Sequence, residues 1–588
     1  MNNEERLILG LILLLAVSIS AYTITSKHLS DLNSYSELLT AKRLLEGNSS
    51  SAGLIHQITA SLYRMFSSGD EFNYELFTNV AKVLTVILSA ACAVSFYFML
   101  RQMFSDVASM GGAVLLVSSQ AFLLNMESGV YSPDSLGMCL FALACASLFI
   151  FYSKKNHLLL LASALLFLVS ALSWNAGWIL IGILLLSLTV QLICQPRKWD
   201  DVLARGVAAL IVVFIVSYLL TSHQNIFKEA DETNLLLYLP NVPLAAVGIA
   251  AFALHLAGRH KSRGRFEFFA ASFFLLSVFL SVFAAFPSSL GVALFSAFAI
   301  NELFGVKDQN TAIAVLSIVL FFASFEYSQT FLKTEQAALA SFLIALTSVF
   351  IASLYREKRV AAYIIFSVIA LSLLSSLSTA AIIESQRIDR FGTSIDDMLT
   401  WVKDELHPDA DIWAYGISPL LEFTTGRSSY YNDTEFARFI LSNDSAAVLK
   451  QKNITYAVLD ASLFDNIEEI KTIANNSKVR IDSFRLYRYE MDTNGNIYAV
   501  FVSRNGNAIF AQADPMSGSL LEGDVLVVGA DWRKLVPLKK LLRIGNYRLV
   551  YPQDNYDINL FRMFFEHVDG MKEVYTSDDG EIKVFEVL

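Results

Sequence analysis

From Leu7 to Ile383 the apolar residues come in long unbroken runs, not in the one-sided stripes of a soluble helix. A run of about eighteen apolar residues crosses the hydrocarbon core of a bilayer, where each backbone polar group must be paired within its own segment. The pattern predicts thirteen such helices. They are Leu7–Thr25, Val83–Leu100, Val107–Leu124, Ser135–Tyr152, Leu158–Leu172, Gly177–Cys194 and Val207–Leu220, then Val242–Ala257, Phe266–Phe286, Ser288–Phe304, Thr311–Phe325, Ala337–Leu354 and Val360–Ile383. Several are shorter than a perpendicular crossing needs, so their boundaries are expected to shift by a few residues.

After Arg387 the pattern changes to short alternating stretches. Tyr456–Leu459, Ile497–Val502, Val525–Val528 and Lys583–Val587 read as strands, while Ile395–Glu405, Glu435–Leu441 and Ile467–Ala474 read as helices. The expected architecture is an α-helical polytopic membrane domain over residues 1–386, with external loops at 26–82, 125–134 and 221–241. A mixed α/β domain follows over 387–588, long enough for a core of its own.

Composition and charge give this scheme a direction. Hydrophobic residues make up 55% of the 588 positions and charged ones 17%, too few charges to clothe a soluble protein of this size. With the N-terminus in the cytoplasm, the inner loops carry Arg101, Lys154-Lys155, Arg197-Lys198, the basic cluster from Arg259 to Arg265, Lys307 and Arg356 to Arg359. That is the positive-inside arrangement. The outer loops carry Asp70-Glu71, Glu127, Asp134 and the acids from Glu229 to Glu232. An odd number of crossings then leaves the C-terminal domain outside. The first apolar run follows Glu4-Glu5 and ends without a small-x-small cleavage site, so it is expected to stay as a span. Cys92, Cys139, Cys145 and Cys194 all fall in predicted spans and read as small apolar packing residues. The five Asn-x-Ser/Thr sequons, at Asn48, Asn432, Asn443, Asn453 and Asn475, all fall on the outer side. The acidic outer domain has no basic stripe, which argues against nucleic acid as a partner.

Several blocks carry chemistry. The first loop reads Asp31-Leu-Asn-Ser-Tyr-Ser-Glu-Leu-Leu-Thr-Ala-Lys-Arg-Leu-Leu-Glu-Gly47, followed later by Ser128-Gly-Val-Tyr-Ser-Pro-Asp-Ser-Leu136 and Leu172-Ser-Trp-Asn-Ala-Gly177. The outer domain opens with Asp411-Ile-Trp-Ala-Tyr-Gly-Ile-Ser418 and closes near Leu560-Phe-Arg-Met-Phe-Phe565. In order and in side of the membrane, these blocks resemble the catalytic subunit of archaeal and bacterial single-subunit oligosaccharyltransferases. The resemblance implies a GT-C-like fold and transfer of a glycan from a polyprenyl or dolichyl (pyro)phosphate to asparagine of a secreted or membrane polypeptide. It also implies a bound Mn²⁺ or Mg²⁺, held by a first-loop acid and an Asp-x-Asp/Glu pair, to neutralise the departing phosphate. The matching positions here are Asn33, Ser132 and Asp134, with Asp31 two residues upstream as a relocated acid. In the Trp-Trp-Asp-Tyr-Gly signature, whose aspartate accepts the sequon hydroxyl, this chain has Trp413, Ala414, Tyr415 and Gly416. The acceptor-contacting loop glutamate is matched by Glu232, with Glu326 competing. The phosphate-binding arginine that the resemblance implies in a late membrane helix has no obvious match near Pro287 to Phe304.

Plainer roles stand beside these. Asp31, Asp70 and Glu71 read equally as solvated loop acids, and Asp134, after Pro133, as a helix-capping acid. Trp174 and Trp178 read as interfacial aromatics, Trp413 and Tyr415 as core aromatics, and His28 and His56 as loop histidines. Two functional classes remain open: a divergent transferase using Asp31, Asp134 and Glu232, or a paralogue without catalysis that binds lipid-linked glycan or acts as a scaffold. A transporter is disfavoured, since the spans hold almost no ionisable group beyond Lys82.

Overall fold

The computed structural model describes residues 3–21, 32–47, 52–67, 72–117, 129–174, 177–194, 201–221, 266–279, 285–303 and, apart from short turns, 393–588, with a few single positions between them. The expected spans Val242–Ala257, Thr311–Phe325, Ala337–Leu354 and Val360–Ile383 lie outside the described residues, as do Asp31, His28, Asp70, Glu71, Glu232 and Glu326. By internal contacts the chain divides into two units, Met1–Ile388 and Asp389–Leu588.

Unit 1 is helical among its described residues. Its helices are α1 Asn3–Ser20, α2 Leu32–Leu45, α3 Leu54–Phe66, α4 Tyr74–Arg101, α5 Asp106–Val117, α6 Pro133–Lys154, α7 His157–Ser173, α8 Gly177–Cys194, α9 Asp201–Thr221, α10 Glu267–Phe279 and α11 Ala285–Leu303. Among the described residues, four segments are long and apolar enough to cross a membrane by length and composition: Tyr74–Arg101, Pro133–Lys154, Gly177–Cys194 and Val202–Leu219. Helix α4 begins nine residues before the expected Val83, because the Asn73 side chain accepts from the Leu76 N–H at 2.9 Å and caps it there. The expected loop 26–82 therefore ends at Asn73 and contains α2 and α3. Side chains that face outward from these helices are themselves apolar, among them Leu14, Ile87, Leu161, Leu186, Val212 and Leu219. A surface of that kind is costly in water and matched to lipid.

Inside the bundle, small residues let helices approach. Gly137 of α6 faces Trp174 at the end of α7, and the Ser170 hydroxyl donates to the Gly137 carbonyl at 2.8 Å. Cys92, Cys139 and Cys145 are free and buried, whereas Cys194 is free and exposed at the end of α8.

Unit 2 combines two sheets. The first runs β11-β12-β3-β1-β2, with β1 (Asp411–Ala414) parallel to both β2 (Ser428–Tyr430) and β3 (Tyr456–Asp460). In it β12 (Ile582–Val587) pairs antiparallel with β3 and with β11 (Met571–Thr576). The helices of seven or more residues described in this unit are α12 Thr393–Glu405, α13 Ser418–Thr425, α14 Asp433–Ile440, α15 Ile467–Ala474 and α16 Asn559–Phe565. The second sheet has seven antiparallel strands in the order β8-β7-β6-β5-β4-β10-β9. Its strands are β4 Ile481–Met491, β5 Ile497–Ser503, β6 Ala508–Ala513, β7 Asp524–Val528, β8 Arg533–Pro537, β9 Leu542–Ile544 and β10 Arg548–Pro552. Every stretch read as a strand or helix in the outer domain lies on an element of that type; the seven-stranded sheet as a body of its own is additional.

Candidate functional site

One end of unit 1 gathers the sequence blocks that carry chemistry. The C-terminal end of α1 packs against α4 through a hydroxyl–hydroxyl contact between Ser20 and Ser89. Three residues after Lys82 on α4, Thr85 donates to its own helix at Ala81 O (3.1 Å) and to Val130 O at 3.3 Å. Helix α6 then starts at Pro133, so the last turn of α1 and the segment leading into α6 both meet α4 near its middle, at Ser89 and Thr85.

The first-loop helix α2 is tied onto the same segment. The backbone N–H of Tyr131 donates to the Ser34 hydroxyl at 2.9 Å, joining positions 97 residues apart in sequence. The Tyr131 hydroxyl meets Thr59 of α3 at 2.8 Å. Burial pushes the Tyr131 phenol well above its ordinary pKa; the Thr59 hydrogen bond opposes this and the nearby Glu37 charge reinforces it, so the group is a neutral donor or acceptor at any working pH. His56, buried on α3, completes the seam. Its Nδ1 accepts from the Gly53 N–H at 2.8 Å, which leaves Nε2 to donate to Glu37 at 2.7 Å. His56 is thereby a clamp between α2 and α3, not an open loop histidine.

Ser132 caps α6, its hydroxyl accepting from the Asp134 N–H at 3.1 Å. Asp134 is half-buried in the first turn, where its charge favours the helix dipole. Asn33 is exposed in the first turn of α2, its carbonyl accepting from Ser36 at 2.7 Å. The structure thus brings the Asn33–Ser34 and Tyr131–Asp134 blocks to one seam, and Asp31 lies outside the described residues. Trp174 is buried against Gly137 inside the bundle, not set in an interfacial belt, and Trp178 packs on Phe214 and Tyr218 of α9.

In unit 2 the signature segment forms β1 and the turn after it. Trp413 is 3% exposed, packed edge-on against Phe436 at 4.8 Å and beside Phe439, so it is a core residue. Ala414 is buried at the strand end, and its carbonyl accepts from the Ser418 hydroxyl that opens α13. Tyr415 is half-buried, stacked on Phe436 at 5.8 Å. Gly416 is exposed at φ +72°, a conformation that costs L side chains and suits glycine. Arg427 donates to the carbonyls of Lys403 (2.8 Å) and Leu406 (2.7 Å), closing the end of α12.

Sequence reading passed over Ser34, Thr59 and Tyr131 as site residues. Ser34 and Tyr131 stand in quoted blocks and Thr59 outside them, but a hydroxyl that ties two segments together leaves no periodic trace in sequence.

The whole chain superposes on solved membrane transferases. An oligosaccharyltransferase of Archaeoglobus fulgidus, in complex with an inhibitory peptide and a dolichol-phosphate, matches with TM-score 0.59 at 12% identity, over 98% of this chain and 80% of its own. The apo form of the Archaeoglobus fulgidus oligosaccharyltransferase matches at 0.58 and 12%, over 97% and 79%. The form tethered to an acceptor peptide with the NVT sequon matches at 0.56 and 13%, again over 97% and 79%. What is shared is the fold. It pairs a helical unit bearing apolar helices with a β-containing C-terminal unit. No protein-family model matches the chain, and no curated protein sequence matches it significantly.

Proposed function

We propose that the chain is a membrane glycosyltransferase that takes a glycan from a polyprenyl or dolichyl (pyro)phosphate and transfers it to asparagine of a secreted or membrane polypeptide. The observation that carries this reading is the seam where Ser34 of α2 holds the backbone of Tyr131 immediately ahead of Asp134. It supports the reading because it adjoins the place where the end of α1 and the start of α6 meet α4, within a chain whose fold is that of oligosaccharyltransferases solved with dolichol-phosphate and with peptide. In this scheme the asparagine Nδ2 attacks the anomeric carbon, the carbon–oxygen bond to the lipid phosphate breaks, and the phosphate leaves with the electron pair. Asp134 takes the amide proton as the new bond forms. Glu232 in the loop at 221–241 and the relocated Asp31 are the further acids of the scheme; Tyr415 and Gly416 are the positions that the resemblance gives to acceptor binding.

The divalent ion implied by the family does not fit the described donors. Among the described residues no group of three or more His, Cys, Asp and Glu gathers in one place. Asn33 offers only an amide, and the Ser132 hydroxyl is engaged in capping α6. That leaves Asp134 as the single carboxylate of the three, short of the mostly anionic oxygen set that Mg²⁺ or Mn²⁺ requires.

The second reading, a lipid-glycan binder or scaffold without catalysis, is favoured by Ala414, which is buried and cannot accept the sequon hydroxyl. Transfer from a polyprenyl-linked glycan to a fluorescent sequon peptide by the purified protein decides between them. The wild type is expected to transfer, and Asp134→Asn to slow it by about 10²–10⁴ while lowering the melting temperature only slightly, as loss of one helix-dipole charge does. A wild type that binds the donor yet never transfers would leave the second reading standing.

A further inference from the structure

Asn453 stands in unit 2 at the turn between the short helical stretch Ala447–Lys450 and β3, and with Ile454 and Thr455 it forms an Asn-x-Thr sequon. Of the five sequons it is the one described at all three positions. Asn48, Asn432, Asn475 and Ser445, the last residue of the Asn443 sequon, lie outside the described residues. Asn453 is exposed, and its N–H donates to the Lys450 carbonyl at 3.0 Å. Its φ of +59° falls in the left-handed region, which asparagine tolerates better than most residues. Gln451 and Lys452 beside it are exposed as well, which leaves room for a bulky polar group. The rest of the motif is held in the fold. Ile454 is 2% exposed and packs in the core of the unit. The Thr455 hydroxyl donates to the Asp411 carbonyl at 2.9 Å and accepts from the Asp411 N–H at 3.0 Å. The Thr455 N–H donates to the same carbonyl at 3.0 Å, and the Thr455 carbonyl accepts from Val587 at 2.9 Å. Thr455 thus ties the start of β3 to the start of β1 and the end of β12.

We propose that Asn453 is itself a glycan acceptor, modified from a polyprenyl-linked donor before β3 docks on β1. A transferase reads the motif through both the asparagine amide and the hydroxyl two residues on. In the folded unit the amide is exposed, but the hydroxyl is committed to Asp411 in both directions and Ile454 is covered. Entry into an acceptor site would break those bonds and uncover Ile454, so the unfolded segment is the substrate and the folded one is not. In the transfer the Asn453 Nδ2 attacks the anomeric carbon, and the carbon–oxygen bond to the lipid phosphate breaks. The phosphate leaves with that electron pair, and a carboxylate of the transferase takes the amide proton. Once attached, the glycan stands clear of the turn after β1. Strands β1 and β3 are parallel, with Ile412 beside Tyr456 and Ala414 beside Val458, so Asn453 lies at the end of the sheet opposite Tyr415 and Gly416. The inference rests on the outward position expected for unit 2, and it holds whether a second copy of this chain or another enzyme performs the transfer.

The test is mass spectrometry of the full chain purified from its native membranes. Trypsin releases Asn453–Lys471, which holds this sequon and no other. The peptide is expected to carry a glycan, and Asn453→Gln to abolish that mass while Thr455→Ser, which keeps the hydroxyl, retains it. The order of events is tested with chain made in a host without glycosylation, folded, and then offered to the native membranes with their lipid-linked donor. A synthetic peptide Leu449–Asp460 serves as the comparison acceptor. The folded chain should gain glycan at Asn453 roughly tenfold or more slowly than the peptide, as a required local opening dictates. Equal rates would overturn modification before docking and leave the site standing. An unmodified Asn453 in native chain whose unit 2 is labelled from outside would overturn the site, and this measurement needs no variant to fold. An unmodified Asn453 with unit 2 labelled only after permeabilisation would overturn the outward position and this inference together.

Discussion

Arg548 carries the heaviest electrostatic demand in unit 2, because its side chain has no solvent exposure at all. Its Nη1 lies 2.7 Å from Asp465, which also meets Arg485 at 2.8 Å, while its Nη2 stands 3.9 Å from Glu581, an ion pair without a hydrogen bond. Burial raises the Glu581 carboxyl above its ordinary pKa; Arg548 opposes that rise, and Asp460 adds to it. A buried pair of this kind is worth little against an apolar replacement of both partners, but breaking it from one side strands a charge. Arg548→Met is therefore expected to destabilise unit 2 by about 3–5 kcal/mol at neutral pH. A carboxyl whose folded pKa is raised favours the fold when protonated, below its unfolded value, and loses that favour as pH rises through the folded pKa. Without Arg548 the folded pKa of Glu581 rises further, so the penalty of the variant should shrink as pH falls into the carboxylate range. Melting temperatures of wild type and variant between neutral and acid pH check this, and a penalty that grows with acidity would contradict it.

At the scale of elements, helix α6 and its neighbour α7 show how much was legible in sequence. The start of α6 is written in Ser132-Pro133-Asp134, a capping hydroxyl, a proline tolerated in the first turn and an acid at the positive end. The end of α4 toward the first loop was harder to read, since the apolar run begins well after the Asn73 cap that starts the helix. In unit 2, β5, β7 and β12 alternate cleanly, whereas β4 carries an irregularity between Leu486 and Arg488 that breaks the period of two. Strand β8 (Arg533–Pro537) is exposed over its first three residues and offers almost no apolar face. That is why a sheet of seven strands was not visible as a unit. The site suffered in a different way: the 97-residue separation of Ser34 and Tyr131 is bridged by a side-chain hydroxyl that no local pattern announces. Helix packing makes its own prediction. A Cβ at Gly137 would run into Trp174, so Gly137→Val is expected to force α6 and α7 apart and cost about 1–3 kcal/mol. The buried thiols of Cys92, Cys139 and Cys145 report the change, reacting with a fluorogenic maleimide at lower temperature than in wild type.

For the whole molecule, the distribution of charge and the helical directions make one statement about sidedness. Helix α6 ends at Lys154, with Lys155 in the left-handed conformation that turns the chain into α7. Lys154 and Lys155 are exposed there, at the end of α6 opposite the Ser132–Asp134 site. If the positive-inside rule holds for this turn, it lies on the cytoplasmic face and the seam of Ser34, Tyr131 and Asp134 on the other. Unit 2 offers an exposed landmark of its own at Tyr487 on β4. If the N-terminus is cytoplasmic and the chain crosses the membrane an odd number of times, Tyr487 faces outward, where a lipid-linked donor and a secreted acceptor would meet. In a Cys194→Ser background, which removes the one exposed native thiol among the described cysteines, Tyr487→Cys should be labelled on intact cells by a membrane-impermeant maleimide. Lys154→Cys should be labelled only after permeabilisation. The reversed pattern would invert the topology and place the candidate site in the cytoplasm. Labelling of both on intact cells would break the link between the Lys154 turn and the inner face while leaving unit 2 outside.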